Sequence, residues 1–250
     1  KNLTASLTGT VSKTYDGTTT ATLASGNYSL TGIVGSDTVN LNNPTSGTYD
    51  TMNVGTGKTV SVTGLSISGT DAGNYTLSSS STNGTVGQIT AKSVTASLTG
   101  TVDKTYDGNT TATLASGNYS LSGLIGGDTV NLNNPTSGTY DTKNVGTGKT
   151  VSVTGLSISG TDAGNYTLSS TSTSGTVGQI DAKSLSASLT GSVSKTYNGN
   201  TTATLASGNY ALSGVVSGDT VSLNNPASGI YDTKNVGTGK TVSVSGLSIS

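Results

Sequence analysis

The chain repeats itself with a period of 91 residues, and this self-similarity limits its possible folds more than any other feature. Lys1-Asn2-Leu3-Thr4-Ala5-Ser6-Leu7-Thr8-Gly9 returns as Lys92-Ser93-Val94-Thr95-Ala96-Ser97-Leu98-Thr99-Gly100, and again from Lys183. The first two copies differ at 12 of 91 positions, and the third runs to Ser250, the counterpart of Ser68. A fixed period signals an array of like units, here with boundaries 1–91, 92–182 and 183–250. The exchanges between copies are themselves informative. Ile33, Leu124 and Val215 are equivalent, as are Val34, Ile125 and Val216. Apolar side chains of similar volume replace one another where they are buried. Met52 becomes Lys143 and Lys234, which predicts an exposed position.

Within each copy the apolar residues alternate. Leu3, Ala5, Leu7, Gly9 and Val11 fall on one face of an extended chain, with Asn2, Thr4, Ser6, Thr8 and Thr10 on the other. This period of two predicts a half-buried strand. Val39 with Leu41, Val60 with Val62, Tyr75 with Leu77, and Val86 with Ile89 predict further strands. Leu65 and Ile67 are out of phase with Val60 and Val62, so a bulge or bend is expected at Gly64. Asp16-Gly17, Gly26-Asn27, Asn43-Pro44, Gly55-Thr56-Gly57 and Asn83-Gly84 read as turns. No segment has helical spacing. Roughly seven or eight short strands in each copy predict an all-β chain of tandem β-sandwich-like domains. The junction Gln88-Ile89-Thr90-Ala91-Lys92-Ser93-Val94 holds no Gly/Ser-rich tether, which predicts semi-rigid joints and an elongated array.

Composition then removes whole classes of function. The chain has no His, Cys, Glu, Arg, Trp or Phe; its acids are 12 Asp, its bases 11 Lys and its aromatics 11 Tyr. Ser-His and Cys-His pairs cannot be built, and acid–base chemistry near neutrality loses its usual carriers. A zinc site would rest on Asp alone. With 9% charged residues and a net charge of −1, no electrostatic footprint for nucleic acid or anionic membrane exists. No apolar run reaches the roughly 20 residues of a membrane-spanning helix. No signal peptide is recognisable, so the chain reads as a mature or internal part of a protein.

A longer string carries a resemblance. Lys13-Thr14-Tyr15-Asp16-Gly17-Thr18-Thr19, Gly35-Ser36-Asp37-Thr38-Val39 and Tyr49-Asp50 are followed by Asn53-Val54-Gly55-Thr56-Gly57-Lys58. Gly64-Leu65-Ser66-Ile67-Ser68-Gly69-Thr70-Asp71-Ala72-Gly73-Asn74-Tyr75-Thr76-Leu77 and Gly87-Gln88-Ile89 close the pattern. It resembles the YDG-type repeat domain of large bacterial adhesins and filamentous-haemagglutinin-like exoproteins. The resemblance implies an extracellular, cell-surface or secreted location and a role in adhesion or biofilm structure, with no catalytic residue and no cofactor to carry over.

The motif itself reads as a turn. Tyr15-Asp16-Gly17 and Tyr106-Asp107-Gly108 become Tyr197-Asn198-Gly199 in the third copy. Asp-Gly and Asn-Gly both suit turns with positive φ, whereas a catalytic carboxylate would not survive becoming an amide. Gly57-Lys58-Thr59 resembles the end of a phosphate loop, but strand residues follow where that loop needs a helix. Asp37, Asp50 and Asp71, recurring as Asp128, Asp141 and Asp162, are weak calcium candidates, since calcium gathers several carboxylate and carbonyl oxygens. Lys13 and Lys58 are expected as solvated surface lysines, and an intramolecular cross-link from them as the less favoured alternative. The tyrosines are expected in the core more than on a sugar-stacking surface.

Three functions from different classes follow. The favoured one is a non-enzymatic stalk or spacer, whose partners are neighbouring repeats, surface glycans or other copies of the protein. The second is a carbohydrate- or calcium-binding module. The third is an ice- or surface-binding array built on Thr4, Ser6, Thr8 and Thr10, which requires a flat face.

Overall fold

The computed structural model describes all 250 residues, and its regular structure is 25 strands and five short 3-10 turns. The chain is all-β. The first repeat supplies ten strands: β1 (Asn2–Leu7), β2 (Val11–Thr14), β3 (Thr20–Thr22), β4 (Tyr28–Thr31), β5 (Asn40–Leu41), β6 (Ser46–Tyr49), β7 (Gly55–Thr63), β8 (Ile67–Ser68), β9 (Thr76–Leu77) and β10 (Ser81–Thr90). The second repeat reproduces all ten. The count exceeds the seven or eight expected because several strands are only two or three residues long.

These strands form three sheets in the first repeat, ordered β4-β1-β9, β2-β10-β7-β6-β3 and β5-β8. Most pairs are antiparallel, but β1 runs parallel to β9 and β2 parallel to β10. The long alternating run from Leu3 to Val11 is therefore not one strand. Gly9, at φ +67°, breaks it and sends β1 and β2 into different sheets. Alternation of side chains survives in both halves, which is why the break leaves no trace in the pattern.

Gly64, at φ +76°, does separate β7 from β8, which restores the phase for buried Leu65. Two expected turns lie inside strands instead. Gly55-Thr56-Gly57 belongs to β7 and Asn83-Gly84 to β10, with register shifts around Gly87. Gly87 is small for packing: a Cβ there would meet the Lys58 carbonyl oxygen and Tyr49 Cε1, each at 2.8 Å.

The sequence repeat and the packing unit are offset. One compact unit comprises Lys1–Gly100, Ala115–Thr136 and Val153–Ser174. Its main core joins Val11, Tyr15, Ala21, Leu23, Tyr49, Val60, Val62, Leu65 and Ile89 of the first repeat with Val94 and Tyr166 of the second. A smaller core gathers Leu3, Val39 and Tyr75. The other unit comprises Thr101–Leu114, Ser137–Ser152 and Gly175–Ser250. In its third repeat, Thr202–Thr204, Ser228–Tyr231 and Val242–Ser243 form a three-stranded sheet. Residues 193–196, equivalent to Val11–Thr14, carry no strand. The boundaries at 91 and 182 thus mark the period of the sequence, while the second repeat contributes residues to both units.

Candidate functional site

The most built feature of each repeat is its tyrosine turn. Lys13, at the end of β2, donates from Nζ to Asp16 Oδ1 at 2.7 Å and to the Thr18 carbonyl and hydroxyl at 2.7 and 2.9 Å. Asp16 Oδ1 also accepts from the Thr18 amide at 2.9 Å, closing an Asx-type turn in which Gly17 sits at φ +77°. Partial desolvation acts against ionisation of Asp16, but the Lys13 and Thr18 hydrogen bonds outweigh it and hold its carboxyl below the usual range. In the third repeat Lys195 donates to Asn198 Oδ1 at 3.0 Å and Gly199 keeps φ +80°. An amide oxygen accepts the same bond as the carboxylate, so the turn needs an acceptor and not a charge.

The turn aims Tyr15 at the second repeat. Its ring is 1% exposed, lies edge-on to Tyr166 at 5.4 Å and 76°, and its hydroxyl donates to Asp128 Oδ2 at 2.9 Å. Tyr166 donates to the same Oδ2 at 2.5 Å and accepts from the Ile125 amide. Burial, reinforced by the Asp128 hydrogen bond, pushes the Tyr15 hydroxyl up to about 12. Beside it, the Val54 amide donates to Asn165 Oδ1 at 2.9 Å, and Asn165 Nδ2 donates to Asn53 Oδ1 at 3.3 Å. Gly17 leaves room for Ile125, whose Cγ2 would lie 3.0 Å from an added Cβ.

Tyr106 is half-buried beside Asp219, whose hydrogen bond raises the tyrosine hydroxyl above its ordinary range. An added Cβ on Gly108 would meet Val216 Cγ1 at 2.8 Å. Here Lys143 approaches Asp219 Oδ1 at 3.6 Å, where the first repeat has Met52. Met52 and Lys143 are both exposed, as their exchange predicts. Tyr197, with the same local turn but no such partner, is 58% exposed. Burial of the tyrosine therefore reports the joint and not the turn.

The calcium candidates are distributed among protein donors. Asp71 and Asp162 accept from the Thr38 and Thr129 amides at 2.8 Å. Asp50 accepts from the Thr51 and Thr59 amides and pairs with Lys58 at 3.2 Å, and Asp141 pairs with Lys149 at 3.4 Å. Asp37 accepts from Tyr75, and Asp128 from its two tyrosines. No group of three or more acidic residues comes together.

The expectation for Lys58 is corrected. It is buried, as is Lys149, and its Nζ reaches Thr51 Oγ1 at 2.5 Å. A long stem covered by the sheet with its ammonium paired at the rim lets a lysine be buried without an orphaned charge. Lys13 is covered in part and stands 5.5 Å from the Tyr49 ring. Tyr15, Tyr49 and Tyr75 are buried in the core, and the half-buried Tyr28 donates to the Pro44 carbonyl.

Sequence reasoning missed Asp128, Asp219 and Asn165 as partners across the joint. Their only signal is recurrence: each copy carries a tyrosine turn and an aspartate 22 residues on, and periodicity does not say whether the pair closes within a copy or between copies.

A family model for the YDG domain matches residues 1–83, 90–174 and 181–250. The chain belongs to the YDG domain family. No curated protein and no solved structure matches it. In these YDG repeats the tyrosine and glycine of the naming motif contact the next repeat, and the residue between them holds the turn that aims them.

Proposed function

We propose that these YDG repeats are structural spacers of a bacterial cell-surface adhesin, projecting a binding region and supporting adhesion or biofilm formation. The observation that supports this reading is the recurrence of the joint: Tyr15 donates to Asp128 while Gly17 faces Ile125, and in the next copy Gly108 faces Val216 with Tyr106 beside Asp219. A spacer needs identical joints that can be copied, and near-identity between copies serves length better than specialised binding does. The reading is non-enzymatic and extracellular. The row Thr4, Ser6, Thr8 and Thr10 is interrupted at Gly9, which weighs against a flat ice-binding face.

The test is a length series. One, two or four copies of the 91-residue unit are placed between a surface anchor and an epitope on a bacterium. Epitope access through surface polysaccharide is expected to rise with copy number. Access independent of copy number, or adhesion carried by the repeats without the epitope, would overturn the spacer reading.

A further inference from the structure

We propose that each complete repeat contains a mechanical clamp, the parallel pair β2–β10, which is loaded in shear when the chain is pulled from its ends. The inference rests on the spacer reading for its biological use, but the geometry stands by itself. The chain enters the repeat through β1 and β2 and leaves through β10, which lies between β2 and β7 in the sheet. In a parallel pair both strands run the same way. Tension on the N-terminal side of one and the C-terminal side of the other slides them along their length. Every bond of an evenly spaced parallel ladder then bears load together, whereas a pair pulled from one end opens bond by bond.

The clamp is reinforced where it bears load. Val11, Ser12, Lys13 and Thr14 pair with Gly87, Gln88, Ile89 and Thr90, and the Tyr15 amide extends the ladder to the Thr90 carbonyl at 2.8 Å. Val11 and Ile89 are both buried. The Tyr49 hydroxyl ties the Val11 carbonyl to β6 at 2.9 Å, over a Gly87 that no side chain could replace without displacing that ring. A second parallel pair, β1–β9, takes load at the entry, where the Thr76 amide donates to the Lys1 carbonyl. Only Ala91 separates β10 from the next strand, Lys92–Leu98, so tension passes on without a slack linker.

The second repeat builds the same device: Val102–Thr105 pairs in parallel with Gly178–Asp181, Tyr106 extends the ladder to Asp181, and Tyr140 ties Val102. The third repeat keeps the tie, from Tyr231 to the Val193 carbonyl.

The test uses single-molecule force measurements on the full chain. The protein has no cysteine, so introduced cysteines define the pulling points. Thr10→Cys with Thr90→Cys pulls β2 and β10 in shear, and Thr10→Cys with Thr85→Cys pulls the same pair open from one end; all three threonines are exposed. The shear pair is expected to rupture at a force at least about twofold higher, because resistance follows the unfolding rate along the pulled direction. Its release should span the 80 residues between handles, about 260–290 Å at ~3.3–3.6 Å each. Equal forces in the two geometries would overturn the clamp. Thr101→Cys with Asp181→Cys against Thr101→Cys with Thr176→Cys repeats the comparison in the second repeat, should a first-repeat variant melt below the parent. A clamp that fails while the length series succeeds removes this inference alone; a clamp that holds while the series fails removes the spacer reading alone.

Discussion

Tyr15 and Asp128 lie 113 residues apart in the chain and share a hydrogen bond of 2.9 Å, the tyrosine from one repeat and the carboxylate from the next. Asp128 accepts from Tyr166 as well, so one carboxylate oxygen joins two hydroxyls. Hydrogen bonds to charged groups contribute about 1.5–3 kcal/mol each. Asp128→Ala is expected to destabilise the first compact unit by about 2–3 kcal/mol, and Tyr15→Phe by about 1–2 kcal/mol. In urea denaturation the double variant should lose less than the sum, which is the signature of a direct interaction. Additive losses would mean the two residues act independently.

Glycine substitution separates turn from joint. Gly17→Ala must hold a side chain at φ +77° and against Ile125, whereas Gly199→Ala, at φ +80°, has nothing within 4 Å of its Cβ. The second should cost only the left-handed penalty of about 1–2 kcal/mol. The first should cost more, with the excess seen as lower protection of amides around Ile125 in hydrogen exchange. Equal costs would show that Ile125 yields freely.

Alkaline titration should be late and consequential. The Tyr15 hydroxyl is raised from 10.0 to about 12 by burial and by Asp128. A raised folded value contributes stability that is fully present below pH 10 and is lost as pH rises through about 12. Tyrosinate absorbance should show a late step that Tyr15→Phe removes. At the acid end Asp16, Asp50, Asp107, Asp141 and Asp232 are all lowered, so their contribution is present above the ordinary carboxylate range and is lost as pH falls through their folded values.

The third repeat supplies a natural variant of the turn. Asn198 accepts from Lys195 where Asp16 accepts from Lys13. Asp16→Asn is therefore expected to cost under about 1 kcal/mol near neutral pH, and Asp16→Ala about 1–2 kcal/mol more, since it leaves the Thr18 amide and Lys13 without that acceptor. Thermal melts of the two variants decide between a role as acceptor and a role as charge.

Calcium should change nothing. The candidate carboxylates already accept protein hydrogen bonds and do not converge in threes. Melting in calcium and in chelator is expected to coincide, and a rise in calcium would show a site assembled from fewer carboxylates plus carbonyl oxygens. Intact mass should equal that of the unmodified chain, with Lys58 held by Thr51 and Asp50 without covalent linkage.

Much of this protein was settled by local sequence. Alternation of Val60 and Val62 makes a strand whatever surrounds it, the phase slip at Gly64 demands a bend, and Tyr15-Asp16-Gly17 specifies its turn from neighbouring atoms alone. The 91-residue period and the family follow from the same string. Pairing and burial were decided only in three dimensions. Gly9 divides an unbroken alternation between two sheets, and Lys58 is covered because β10 runs past it. The deepest ambiguity lay in the repetition itself. Asp37 and Asp128 sit in nearly the same local sequence, so no pattern along the chain can say which of them Tyr15 will meet. Near-identical copies offer near-identical partners, and only the path of β10 into the next repeat, which brings that repeat's aspartate and tyrosine over this repeat's core, breaks the tie.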